Sequence, residues 1–580
     1  MTAARLRLWW QETHSPQIEL CRHFCGQFFE SEFVARPGQL KLLFGGMLSV
    51  LASLSVPFLQ AYYGKYLFLK ALDNPEPFRL AVIADVLFLI SLSMLAIGLV
   101  TTLLWQSLFP DRRDYLALAS LPLRAQQIFR AKFTALLGFI ILVTLAIVVP
   151  AAFGMPWMMQ PVRGTLHYAV FGATGWQSIG ILTSCFAAGI FMFFVLVALQ
   201  GILLNVLPLR LSTRLSFWLQ ASLLILFLAA FPLVVAIPRI TYSMNLRPDW
   251  AIWAPPLWFL GLDQIIAGSS DPFAARLARG ALAGLASSAL AAIVAYWWSY
   301  VGHRVRVLET PDASRRREPS AYSEWTFGLA PRAIGVFAFV AKTLGRSPRH
   351  RLILTVFAGF AVALSVNTLA NAFLNGFNFQ TGRLSKITIL LAAQLALSLF
   401  TLCGLQYLYR LPVEPRSNWI FRVYEPGHTP MLLAGVEASL LYGGVAPVAL
   451  LNLLVSTFLL GIAPAAVLAL LTTPPALLLM EGLQFTSYKI PFTSLYLPAR
   501  RMITETIIKY VVGIVLYISL LSALLSWCAQ DITRWLPATA LMLIAYIRLR
   551  IARLDIQRVA RLEFEELPEV MVQTLALERD

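Results

Sequence analysis

Long apolar runs constrain this chain more than any other feature. Crossing a hydrocarbon core about 30 Å thick takes roughly 20 apolar residues in a helix, and stretches such as 80–108 and 178–207 meet that length without a run of breakers. About twelve such stretches fall into two sets of about six, each with a polar loop after its second member. They lie at 40–62, 80–108, 133–153, 178–207, 216–237, 278–300, 352–374, 387–409, 431–458, 462–484, 505–527 and 534–550. The fold class this implies is all-α: a polytopic integral membrane protein of about 12 transmembrane helices in two pseudo-symmetric six-helix halves.

Charge is correspondingly scarce. Asp, Glu, Lys and Arg make up 13% of residues, against roughly 25% in soluble domains. The net charge of +17 raises the possibility of nucleic acid, but basic residues beside spans set orientation and meet anionic membrane lipid, so no nucleic-acid partner is expected. An even number of spans puts both termini on one side. Placing them in the cytoplasm puts most of the 46 Lys and Arg residues there too, including the dense basic stretches Arg304–Arg317 and Arg548–Arg561. That orientation fits a multi-pass protein of a bacterial inner (cytoplasmic) membrane. Residues 1–38 lack the apolar run and small-residue cleavage site of a signal peptide. The five cysteines are scattered, which argues against a disulfide framework.

The expected organisation is a cytoplasmic amphipathic elbow at 1–39, a first six-span half at 40–300, a basic linker with a second elbow at 301–351, a second six-span half at 352–550 and a cytoplasmic tail at 551–580. Three sequence correspondences support duplication. Phe24, Phe28 and Phe29 precede Arg36-Pro37 and the first span; Phe337 and Phe339 precede Ser347-Pro348 and the seventh. Each is a short amphipathic segment ending at proline, suited to the membrane surface. After the second span, Trp105-Gln106 leads to Asp111, Arg112, Arg113, Asp114, Tyr115, Leu121 and Pro122. After the eighth, Leu405-Gln406 leads to Arg416, Asn418, Trp419, Glu425 and Pro426, and the Asp114-Tyr115 and Asn418-Trp419 pairs stand equally far before their prolines. Asp or Asn caps a short helix, the aromatic anchors it, and proline ends it. Finally, Gln200-Gly201 near the end of span four matches Glu481-Gly482 near the end of span ten.

The order of elbow, two spans, short cytoplasmic helix, basic segment and four more spans resembles the permease of ABC-2 type exporters, with two halves fused in one chain. The resemblance implies that the segments Asp111–Pro122 and Arg416–Pro426 are coupling helices. They would dock on a separate ATP-binding cassette subunit, in two copies, and ATP and Mg would be held there. This chain has no phosphate-cradling G-x-x-x-x-G-K-[ST] loop of its own, so no enzymatic activity is expected from it and no bound cofactor. The transported substrate is expected to be lipid-like or amphipathic, since few charges lie within the spans.

Between spans five and six, 238–276 is too interrupted to cross a membrane, yet too apolar for a free loop. The segment resembles the lid helices at the outer mouth of those permeases, with Trp253, Pro255, Pro256, Trp258, Phe259 and Asp263 as an external gate; the other reading is an aromatic belt at the interface. The short link at 527–535 leaves no counterpart in the second half. Asn367, Asn371, Gln394 and Asn452 lie deeper in spans and either line a pathway or join helices by hydrogen bonds. Charges within spans, Asp85, Glu437, Glu481, Glu505 and Lys509, usually face a cavity or pair with each other. Most of these lie toward span ends, where solvation at the interface is the expected state, and Glu505 and Lys509, four apart on one helix face, are placed to pair. The Cys21, His23, Cys25 spacing is read as part of a membrane-lying helix and not as a metal site. Two other functions compete: a secondary transporter driven by an ion gradient, which needs paired acids at mid-membrane, and a lipid-modifying enzyme, which needs clustered acids or histidines at one face.

Overall fold

The computed structural model describes residues 17–26, 55–71, 75–109, 125–159, 167–240, 249–309, 330–374, 383–411, 418–424, 429–485, 489–493, 512–559 and 562–564. Among the described residues every regular element is a helix. Ten are long and apolar enough to cross a bilayer, and Val512–Cys528 is apolar but shorter. The protein is an all-α polytopic membrane protein. Its sequence dictates this because a backbone in lipid must satisfy its N–H and C=O groups internally, which a helix does within one segment. Several hydroxyls inside the spans follow the same rule: Thr102, Thr144 and Thr472 donate to the carbonyls of Gly98, Ile140 and Leu468, one turn back.

The chain divides into two compact units, Met1–Arg315 and Arg316–Asp580. The first contains α1 (17–26), α2 (Ser55–Ala71), α3 (Pro75–Leu103), α4 (Ala125–Met159), α5 (His167–Val206), α6 (Leu209–Ile240), α7 (Pro255–Ile266) and α8 (Pro272–Glu309). Helix α5 is central, packed against α3, α4, α7 and α8, while α6 packs chiefly on α3. Small residues permit the close crossings. A Cβ at Gly201 of α5 would stand 2.6 Å from that of Ala295 on α8, so only glycine lets these helices meet.

The second unit contains α9 (Pro331–Arg346), α10 (Pro348–Leu374), α11 (Arg383–Tyr409), α12 (Asn418–Tyr424), α13 (Thr429–Leu460), α14 (Ile462–Gln484), α15 (Val512–Cys528) and α16 (Ile532–Val559). Both α13 and α15 carry a π-turn, at Leu441–Val445 and Val515–Leu520.

The pattern of neighbours recurs between units. In the first, α3 contacts α5 and α6, α4 contacts α5, and α5 contacts α8. In the second, α11 contacts α14 and α15, α13 contacts α14, and α14 contacts α16. Numbered within each set, second meets fourth and fifth, third meets fourth, and fourth meets sixth in both. The elbows also match. Leu20 and Phe24 of α1 pack on Ile128, Ala131 and Ala135 of α4. Ala333 and Val336 of α9 press so closely on α13 that a Cβ at Gly435 would lie 2.5 Å from the Ala333 carbonyl oxygen. Each elbow therefore rests on the third span of its set. The end of each unit that carries its elbow is called the elbow end below.

Several helix limits differ from the sequence reading. The first span was expected at 40–62; residues 40–54 lie outside the described residues, and helix α2 continues to Ala71. It passes Lys65 because that ammonium is paired rather than solvated, donating to Asp85 at 2.7 and 2.8 Å. Helix α8 runs to Glu309, past the expected end at 300, and α16 runs to Val559, past 550. A helix leaving a bilayer need not stop there, since water satisfies its side chains as readily as lipid accepts the apolar ones. Glu505 and Lys509 lie outside the described residues.

Candidate functional site

The short helix α12 crosses between α11 and α13 at the elbow end of the second unit. Its anchor is Phe421, buried in a cluster with Val336 and Val340 of α9, Leu405 and Tyr409 of α11, and Leu432 of α13. The Phe421 ring meets that of Phe339 edge-on at 5.4 Å, and the Arg422 guanidinium lies 5.3 Å from the Phe564 ring. The opposite side is bare: Trp419 and Val423, one turn apart, are each 66% exposed, and Ile420 is exposed beside them. A seven-residue helix has no propensity to stand alone, so Phe421 holds it while its other face is offered outward. Asn418 opens this helix. Arg416, Glu425 and Pro426 lie outside the described residues, as does the first loop with Asp111, Arg112, Arg113, Asp114, Tyr115, Leu121 and Pro122.

Between α13, α14 and α16 lies a feature that sequence reading missed. Arg553 of α16, 1% exposed at its side chain, donates to both Glu481 of α14 and Glu437 of α13, the latter at 2.6 Å. Arg550 adds a contact to Glu437 at 2.9 Å. Solvation at the interface was expected for these two acids; they are instead buried and neutralised by a common guanidinium. A charge withdrawn from water persists only when paired and hydrogen-bonded. Part of the signal was present: the acids stand in two apolar runs of one half, but Arg553 stands in the basic stretch after a third run, where it was read as cytoplasmic tail.

Neutral groups clip the corresponding helices of the first unit. Gln200 of α5 donates to the Trp105 carbonyl beyond α3, and Asn205 donates to the Ala295 carbonyl of α8. The second unit has a matching clip from α11 to α14, where Gln406 donates to the Leu483 carbonyl. Fourth span thus binds second and sixth in each unit, by amides in one and partly by ions in the other.

The interrupted segment after α6 forms a 3-10 turn, Asp249–Trp253, and then α7, which Pro255 and Pro256 open. Its aromatics divide. Trp253 is 83% exposed, whereas Phe259 is fully buried. Trp258 donates its indole N–H to the Ile252 carbonyl at 2.6 Å and lies over Gly280 and Gly284 of α8. Phe191 of α5 meets both Trp258 and Phe259. Trp258 and Phe259 therefore fasten α7 onto its own unit, and Trp253 is the outward group. Asp263 is 8% exposed and faces the interior.

Of the polar residues within spans, Gln394 donates to Ser456, joining α11 to α13. Asn452 is buried on α13, and Asn367 and Asn371 lie on α10. Asp85, toward the α2 side of α3, is fully buried and accepts from Lys65 and from the Tyr66 hydroxyl at 2.7 Å. Solvation at the interface was expected for it too, and its pairing replaces that.

Burial without a basic partner pushes the Asp263 carboxyl up to about 7. The unfolded chain ionises it near the usual carboxylate value of about 3.9. The cost of keeping it buried is therefore absent below pH 4, grows as pH rises, and is complete above 7. Asp263→Asn is expected to be more stable than the parent by about 1–3 kcal/mol at pH 8, with the gap closing toward pH 4. Thermal unfolding in detergent across that range measures it; a gap that widens on acidification contradicts the assignment.

No family model, curated protein or solved structure matches the chain.

Proposed function

We propose that this protein is the membrane-spanning permease subunit of an ABC exporter, moving a lipid-like or amphipathic substrate. A separate ATP-binding cassette subunit, in two copies, would supply ATP hydrolysis with its own ATP and Mg. The observation that carries the reading is α12: a short helix fixed by one buried phenylalanine, with Trp419, Ile420 and Val423 bare at the elbow end. A helix shaped this way suits docking into a groove of a partner, where a buried aromatic anchor supplies most of the affinity.

The recurring neighbour pattern supports two equivalent bundles, as alternating access by tilting requires. In this reading the elbow ends and both termini are cytoplasmic, in a bacterial inner membrane. ATP binding would draw two crossbars together and tilt the bundles. An ion-coupled transporter is favoured less: Asp85, Glu437 and Glu481, in described spans, are each paired with a basic group.

Co-expression with a cassette ATPase encoded beside this chain tests the reading. Association is expected on co-purification, and replacing Leu121-Pro122 together with Glu425-Pro426 by Gly-Gly pairs is expected to abolish it. Association that survives both replacements rules out the two loops as docking elements.

A further inference from the structure

A cleft of about 450 Å³ opens beside α7 in the first unit, between the start of α3, the α5 helix and the turn after α7. Its apolar wall comes from Phe78, Val82 and Val86 of α3, Ile181 of α5 and Leu260 of α7. Asp263 lines it, with its Oδ1 buried and without a hydrogen-bond partner. Gly180 of α5 makes room for this carboxyl: a Cβ there would stand 2.7 Å from Oδ1. On the rim, Arg79 is exposed, and Asp271 accepts from the Phe273 amide and so caps α8.

A carboxyl held nine-tenths buried beside an apolar wall, with no basic group bonded to it, is costly to keep. The other buried acids described here, Asp85, Glu437 and Glu481, each have a cation; Asp263 alone of these four lacks one. Two carboxyls against one guanidinium leave the cleft on the acidic side. A cationic head entering would pair with the Asp263 carboxylate, which has no cation of its own. The Phe78 face offers further attraction for a cation, and the aliphatic wall accepts an alkyl chain.

We propose that this cleft binds an ammonium-bearing amphiphile, with its cationic head on Asp263 and its alkyl chain along α3 and α5. The site stands whether or not the energy source is an ATPase. Its ligand is a lipid with an amine headgroup or a free amphipathic amine, two sources of the same chemistry.

The test uses the full chain in phosphatidylcholine nanodiscs, titrated calorimetrically with octylammonium, octanol and octyl sulfate at pH 7.5. Saturable binding of octylammonium alone is expected, weakened at least tenfold in Asp263→Asn. Equal affinity in that variant, or equal binding of octyl sulfate or octanol, overturns the proposal. Should the variant fail to fold, the parent is titrated from pH 8 to pH 5. Arg79 from α3, Cys185 from α5 and Asp271 before α8 are the other ionisable groups facing Asp263 among the described residues. Octylammonium affinity is expected to fall as protons reclaim Asp263, and a flat profile overturns the proposal. Repeating the titration with phosphatidylethanolamine in the bilayer separates the sources: competition supports the lipid, and its absence with binding intact supports the free amine.

Discussion

Arg553→Met is expected to destabilise the second unit by about 3–5 kcal/mol. The arginine is 1% exposed and the Glu481 side chain fully buried, so removing the guanidinium strands two carboxylates between α13, α14 and α16 with a single half-exposed partner, Arg550. Water cannot reach Glu481 to compensate, and the methionine supplies no donor. The loss comes from orphaned charge and not from lost attraction, which gives a second expectation. Adding Glu437→Gln and Glu481→Gln to Arg553→Met should recover most of the stability, since a buried ion group replaced as a whole is often neutral. Unfolding midpoints of the full chain in detergent decide the matter. An unchanged midpoint in the single variant, or a triple variant worse than the single one, removes the cluster from the account of stability.

This cluster marks where the sequence stopped being readable. The spans were legible because a bilayer accepts long apolar helices and little else, so α3, α5 and α14 fall close to where hydropathy put them. Duplication was expected from aromatic–proline spacing, and the recurring set of helix neighbours among the described residues fits it. Which acid meets which base was not. Glu437, Glu481 and Arg553 are 72 and 116 positions apart in their pairings, and only helix packing brings them to one point. The same limit applies to Lys65 and Asp85, whose pairing carries helix α2 past the expected end of the first span. The interrupted segment after α6 illustrates a subtler limit. Its aromatics were read as one group, but a helix sends successive side chains in different directions, so Phe259 is buried while Trp253 stands outside.

On the proposed docking role of α12, replacing both Trp419 and Val423 with Asp is expected to abolish association with a cassette subunit while leaving the fold intact. Both side chains lie on the bare face of α12, so stability in isolation should change by no more than about 0.5 kcal/mol. At an interface a tryptophan anchor typically carries about 2 kcal/mol or more, roughly 30-fold in affinity, and two carboxylates forced into an apolar groove add a desolvation cost to that. Phe421→Ala supplies the contrast. It empties a site in the core shared by α9, α11 and α13, and is expected to lower stability by about 3–5 kcal/mol before any partner is present. Co-elution of the ATPase, its stimulated ATP hydrolysis and the unfolding midpoint are measured together for each variant. If α12 instead rests in the membrane interface, the double Asp variant loses stability in vesicles yet still binds its partner, because the charges then meet lipid rather than protein. That combination of results would refute docking through α12, since the two roles move stability and association in opposite ways.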